Sequence, residues 1–187
     1  MSTTPLLRSS SIERSDKICY EPSAESGGDE QDYLIFFLPG NPGLIPYYQP
    51  FLSRLHDLLV SSSSTASARF HICGHSLKGF EFTKTGQAPQ SPLNLKDQIK
   101  YQEDLLYSHV KSHRDRTGNT PKVILMGHSV GAYILLELIR HHEDMINESE
   151  NEDFDLIGGI LLFPTITHIA KSPLGMVASV SIWAPHS

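Results

Sequence analysis

Apolar and polar positions alternate between two periods along this chain. The segment DYLIFFLPG (32–40) is a short, almost continuous apolar run closed by Pro39 and Gly40, the pattern of a strand buried on both faces. Past the turn-forming NPG, Tyr48, Leu52, Leu55 and Leu59 recur at helical spacing and predict one apolar stripe. ARFHIC (68–73) predicts a second strand. LKDQIKYQEDLLYSHVKSH then predicts a helix that buries Leu95, Ile99, Gln102, Leu106 and His109 or Val110. KVILMG is another buried strand, VGAYILLELIRHHED another helix, and FDLIGGILLFPT the last clear strand. Gly158 and Gly159 within it mark a bulge or a close backbone approach. Apolar strands alternating with helices predict an α/β fold, a mainly parallel sheet with helices on both faces.

Between these elements lie polar stretches. Residues 1–30, rich in Ser, Glu and Gly, read as a flexible leader, and 31–187 as the folded part. SSSSTASA (61–68) and the Gly- and Pro-bearing 81–92 read as loops, NESENED as an acidic connector, and the tail from Thr167 has no clear period.

Charge and composition narrow the chemistry. The formal net charge is −6 and only 15 Lys and Arg are present, scattered along the chain, which argues against nucleic-acid binding. No apolar run approaches the roughly 18–20 residues of a membrane-spanning helix, and the N-terminus lacks the apolar core of a signal peptide. A peripheral contact with a lipid surface is compatible with both facts. The two cysteines, Cys19 and Cys73, form no CxxC pair, and no HExxH or comparable spacing is present, so the sequence predicts neither a metal nor a cofactor. Oligomeric state has no sequence signature here.

Two GHS tripeptides raise the question of a nucleophile. GHSVG (127–131) matches G-x-S-x-G, and its context, KVILM before and VGAYILLELI after, is the required strand–turn–helix. There the chain reverses so sharply that Ser129 sits at a strained corner, and side chains at Gly127 or Gly131 would strike neighbouring backbone. His128 lies inside this elbow, where its ring packs aside. The helix start beneath the corner favours negative charge. Ser76, in GHSLKGF, has Lys78 where the second glycine belongs and reads as a loop serine, with His75 a hydrogen-bonded neighbour. Acyl transfer also needs two donors for the oxyanion. The first is the Val130 amide; the second comes from LPGNPG (38–43), where Asn41 is favoured over Gly40.

The base is harder to find. The chain order of such a site is Ser, then an acid, then His, and 58 residues follow Ser129. Asp153 and Asp155 precede the last strand and so lie at its wrong end. His141 and His142 lie roughly 18 Å along the helix that begins at Ser129. His168 follows the last strand on the correct side, and His186 is the penultimate residue. None has the sequence context of a catalytic base.

The segments FFLPGNPGLIPYYQPFLSRL, HICGHSLKGF, KVILMGHSVGAYILLEL and LLFPTITHIAKSPLG together resemble the lipid-droplet-associated hydrolase family, over about residues 32–176. The resemblance implies the N-terminal portion of an α/β-hydrolase fold. It also implies a serine carboxylic ester hydrolase acting on neutral lipid or sterol esters at lipid droplets, with a cytoplasmic pool. Ser129 then corresponds to the nucleophile and the PGNPG loop to the oxyanion side. The family's acid and histidine follow further strands past FPTI…SP, so the expectation is that this chain stops at the entrance to a cap. The alternative is a catalytically inactive fragment acting as a lipid-associated binding or structural module, with Leu44, Ile45, Tyr47 and Tyr48 facing an acyl chain or lipid surface.

Overall fold

The computed structural model describes residues 16–22, 30–62, 68–80, 91, 93–148 and 154–165. Their strands are β1 (Lys17–Tyr20), β2 (Gln31–Leu38), β3 (Ala68–His75), β4 (Lys122–His128) and β5 (Asp155–Leu162). The helices are α1 (Gln49–Ser61), α2 (Leu95–Thr117) and α3 (Val130–Glu148), and a 3-10 turn (Ile45–Tyr48) leads into α1. The sheet order is β1-β3-β2-β4-β5, parallel except for β1.

β2 is central and buried on both sides, as its unbroken apolar run predicts. Leu34, Phe36 and Leu38 face α2 and α3, in a core with Ile99, Leu106, Val110, Ile134 and Leu135. Ile35 and Phe37 face α1, where Leu52 is fully buried and Tyr48, Leu55 and Leu59 pack around them. The apolar stripe read from that segment is therefore the one that docks. Asn94 caps α2 by accepting the Asp97 N–H at 3.0 Å, and Gly118, in the left-handed region at φ 77°, ends it.

Both readings of the glycine pair in β5 hold. Ile157 is an extra residue in the ladder, since Leu156 pairs with Val123 and Gly158 with Ile124. A Cβ on Gly159 would meet Leu135 Cδ2 of α3 at 2.8 Å, so helix and strand approach closely there. β5 closes the described sheet and carries exposed Ile157, Ile160 and Leu161.

One segment departs from expectation. Lys17–Tyr20 falls inside the stretch assigned to a flexible leader, yet it adds an antiparallel strand to β3, with Cys19 opposite Cys73. Four residues with β-forming Ile18 and Tyr20 are enough to cover that edge, and a composition averaged over thirty residues hides them.

Candidate active site

The site follows from the register. β2, β4 and β5 are parallel, with Leu38 opposite Gly127 and His128 opposite Leu162, so the chain leaves all three strands at the same edge. β2 is flanked by β3 on one side and β4 on the other, and the chain crosses over between them. That switch point, outside the carboxyl ends of the strands, is where open α/β sheets bind ligands.

Ser129 stands at the corner between β4 and α3 with φ 53°, a conformation that costs a non-glycine residue about 1–3 kcal/mol. Its N–H donates to the Leu162 carbonyl at 3.0 Å, and its own carbonyl accepts from Ala132 and Thr165. The corner is pinned on both sides. A Cβ on Gly127 would lie 2.5 Å from the Gly131 carbonyl oxygen, and one on Gly131 would lie 2.2 Å from that of Leu38. Both glycines are therefore required by backbone packing, as the motif reading holds. The Val130 N–H opens α3, among the helix's first amides, which lack an intrahelical acceptor.

The PGNPG loop lies directly against this corner. A Cβ on Gly40 would come within 2.8 Å of Ser129 Cβ and 2.7 Å of His128 Nδ1. The loop folds on itself through Gly43 N–H to Gly40 O (2.7 Å) and is held by Leu77 N–H to Gly43 O (2.7 Å). Tyr48 straps loop and elbow together. Its hydroxyl accepts the Gly40 N–H at 2.9 Å and lies 2.9 Å from His128 Nδ1. Burial raises the Tyr48 pKa, partly offset by the Gly40 amide, so the hydroxyl stays protonated. The Gly40 amide is thus occupied, and the neighbouring Asn41 is exposed.

The Ser129 hydroxyl is half-exposed and shares a 3.0 Å hydrogen bond with the Thr165 hydroxyl. The eight described histidines are engaged elsewhere or sit on other elements. His56 stacks on Tyr20, His75 meets His109, His71 and His113 flank Asp32, and His128 meets Tyr48. His141 pairs with Glu103, and His142 stacks on Phe154. Asp155 starts β5 opposite Lys122, at the end of the sheet away from Ser129. His168, His186 and Asp153 lie outside the described residues.

Ser76 has a structural role. It is 1% exposed, accepts the Ile45 N–H at 3.2 Å and donates to Asp16 Oδ1 at 3.2 Å, which ties the 3-10 turn to the segment before β1. Of the four residues read as facing lipid, Ile45 is fully buried beneath the loop and Tyr48 is the strap, while Tyr47 is 65% exposed. The sequence reading missed Tyr48 as a strap and Thr165 as the partner of Ser129.

A mainly parallel sheet, helices on both faces and a strained serine between strand and helix define the α/β-hydrolase fold. An esterase B from Lactobacillus rhamnosis, solved with a tributyrin phosphonate inhibitor, shares it, with a TM-score of 0.54 at 12% identity over 88% of this chain and 54% of that one. The chain belongs to the lipid-droplet associated hydrolase family, whose pattern it matches over residues 31–186. Relatives named lipid droplet-associated hydrolase are 31% identical in Rattus norvegicus over 83% of this chain, and 32% in Mus musculus over 78%. The chain spans 44% and 42% of their respective lengths, under half of each.

Proposed function

We propose that this chain carries the nucleophile and oxyanion half of a serine carboxylic ester hydrolase that acts on neutral lipid or sterol esters at the lipid-droplet surface. The observation that carries the reading is the corner at Ser129: a left-handed serine between two glycines without room for a Cβ, with the PGNPG loop packed against it. In the reaction Ser129 Oγ attacks the ester carbonyl, and its proton passes to an imidazole from outside the described residues. The carbonyl oxygen becomes an oxyanion that accepts from the Val130 and Asn41 amides. Collapse expels the alcohol, and water then cleaves the acyl-enzyme. Thr165 holds the serine hydroxyl at 3.0 Å in the resting state. The proposed droplet contact is peripheral; among the described residues no helix is long and apolar enough to cross a membrane.

The test is a fluorophosphonate probe with parallel hydrolysis of a cholesteryl or triacylglycerol ester. Labelling and turnover that Ser129→Ala abolishes support the proposal. A folded chain, judged by near-ultraviolet dichroism, that neither labels nor hydrolyses contradicts it for this chain and favours the non-catalytic module.

A further inference from the structure

The face of β3 that looks toward α2 bears an unusual stripe. HICGH places His71, Cys73 and His75 on alternate positions of one side, and HVKSH places His109 and His113 one turn apart on the helix above. β1 adds Cys19 directly opposite Cys73. Donor atoms of Cys19, Cys73 and His109 all lie within 4.8 Å of one another, and the Nε2 atoms of His75 and His109 are 2.7 Å apart. Leu34, Phe36 and Leu106 pack beside this stripe.

We propose that Cys19, Cys73 and His109 form a binding site for one Zn2+ between β1, β3 and α2, with the fourth position left to water. Two sulfurs and one imidazole nitrogen, with water in the fourth position, are a known zinc donor set, and soft thiolates select zinc over magnesium or calcium. Zinc bonds of about 2.0–2.3 Å set neighbouring donors roughly 3.3–3.8 Å apart. The three donors, within 4.8 Å of one another, therefore close by roughly 1 Å, and His75 Nε2, 2.7 Å from His109 Nε2, is the neighbour that orients that ring.

Protonation suits the metal. Burial, with the Lys17 charge nearby, lowers both imidazole pKa values to about 4, and His109 adds to the effect on His75, so both rings are neutral at pH 7. The hydrogen bond from Cys73 lowers the Cys19 thiol, while that same bond and burial raise Cys73. Binding releases the two thiol protons to solvent, so two thiolates balance the dication. Cys19, His75 and His109 are only half-buried, which leaves a path for entry.

A second group on the same stripe, Asp32 with His71 and His113, is a weaker candidate, although His71 Nε2 is buried without a hydrogen-bond partner. The Arg69 guanidinium already covers both Asp32 oxygens, at 2.7 and 2.8 Å, and supplies the positive charge a metal would bring.

The full chain, stripped with chelator and kept reduced, is titrated with Co2+ and then Zn2+. The expected result is a sulfur-to-cobalt charge-transfer band that saturates at one Co2+ per chain and is lost on adding Zn2+. Cys19→Ser removes the band, and His109→Gln weakens Zn2+ binding more than the roughly 10–100-fold that an outer partner costs. His113→Gln leaves both unchanged. Because His109→Gln alters a packed helix, the rise in melting temperature produced by Zn2+ is compared between wild type and the near-isosteric Cys19→Ser, which loses it. A cobalt spectrum without the sulfur band, binding that survives Cys19→Ser, or binding lost with His113→Gln overturns the proposal.

Discussion

Gly131→Ala puts the elbow geometry to a test of sign. Gly131 lies in the first turn of α3, where alanine is worth about 1 kcal/mol more than glycine by helix propensity alone. The structure predicts the opposite effect. The added Cβ would sit 2.2 Å from the Leu38 carbonyl oxygen, 2.7 Å from its carbon and 2.8 Å from the Pro39 oxygen, all backbone atoms of β2 and the loop that follows. Restoring a separation of about 3.2 Å requires a displacement of about 1 Å between α3 and β2, and no side-chain rotation can supply it. Overpacking of this kind costs about 1–3 kcal/mol, and the upper end applies where two rigid backbones collide. Set against the propensity gain, the net expectation is a destabilisation of about 2 kcal/mol in urea denaturation with unchanged m-value. Gly158→Ala is the control, since a Cβ there meets nothing within 4 Å, and it shifts stability by less than about 0.5 kcal/mol. Wherever wild type labels with fluorophosphonate, a 1 Å displacement of the oxyanion loop lowers the labelling rate about a hundredfold. A Gly131→Ala variant as stable as wild type, or more so, refutes the packing argument.

Three further outcomes follow. Tyr48→Phe removes the strap and leaves the buried Gly40 N–H without its acceptor, so calorimetry shows a loss of about 1–3 kcal/mol together with slower labelling of Ser129. Ser76→Ala costs about 1–2 kcal/mol through the lost contacts with Ile45 and Asp16, but leaves labelling at the wild-type rate, which separates the two GHS serines. Asp32→Asn unpairs Arg69 and His113 and destabilises the fold by about 2–4 kcal/mol, below the top of the buried-pair range because the Arg69 side chain is 29% exposed. Burial pushes the Asp32 carboxyl up, yet the Arg69 hydrogen bonds and charge, with His113, hold it below the usual 3.8. Its stabilising effect is thus complete above that value and is lost as pH falls through the lower folded pKa; acid titration of wild type against Asp32→Asn reads it.

The elements were legible where pattern and burial coincide. β2 reads as a central strand because both of its faces are covered, and the α1 stripe reads correctly because helical periodicity survives translation into packing. The elbow was legible because two glycines and a serine at fixed spacing report a backbone collision, which is local. What depends on register was not legible. Cys19 meets Cys73 across 54 residues, and His75 meets His109 across 34, so no spacing rule joins them. Tyr48 looked like one more apolar position in a stripe, and only the approach of β2 to β4 shows its hydroxyl reaching Gly40 and His128. β1 escaped because four residues barely change the composition of the polar stretch around them.

The most direct measurement is a crystal structure of this chain after reaction with a phosphonate ester. The expected result is a phosphorus–oxygen bond at Ser129, with the phosphoryl oxygen about 2.7–3.1 Å from the amide nitrogens of both Val130 and Asn41. An unmodified Ser129, or an adduct whose oxygen points away from the 38–43 loop, contradicts it.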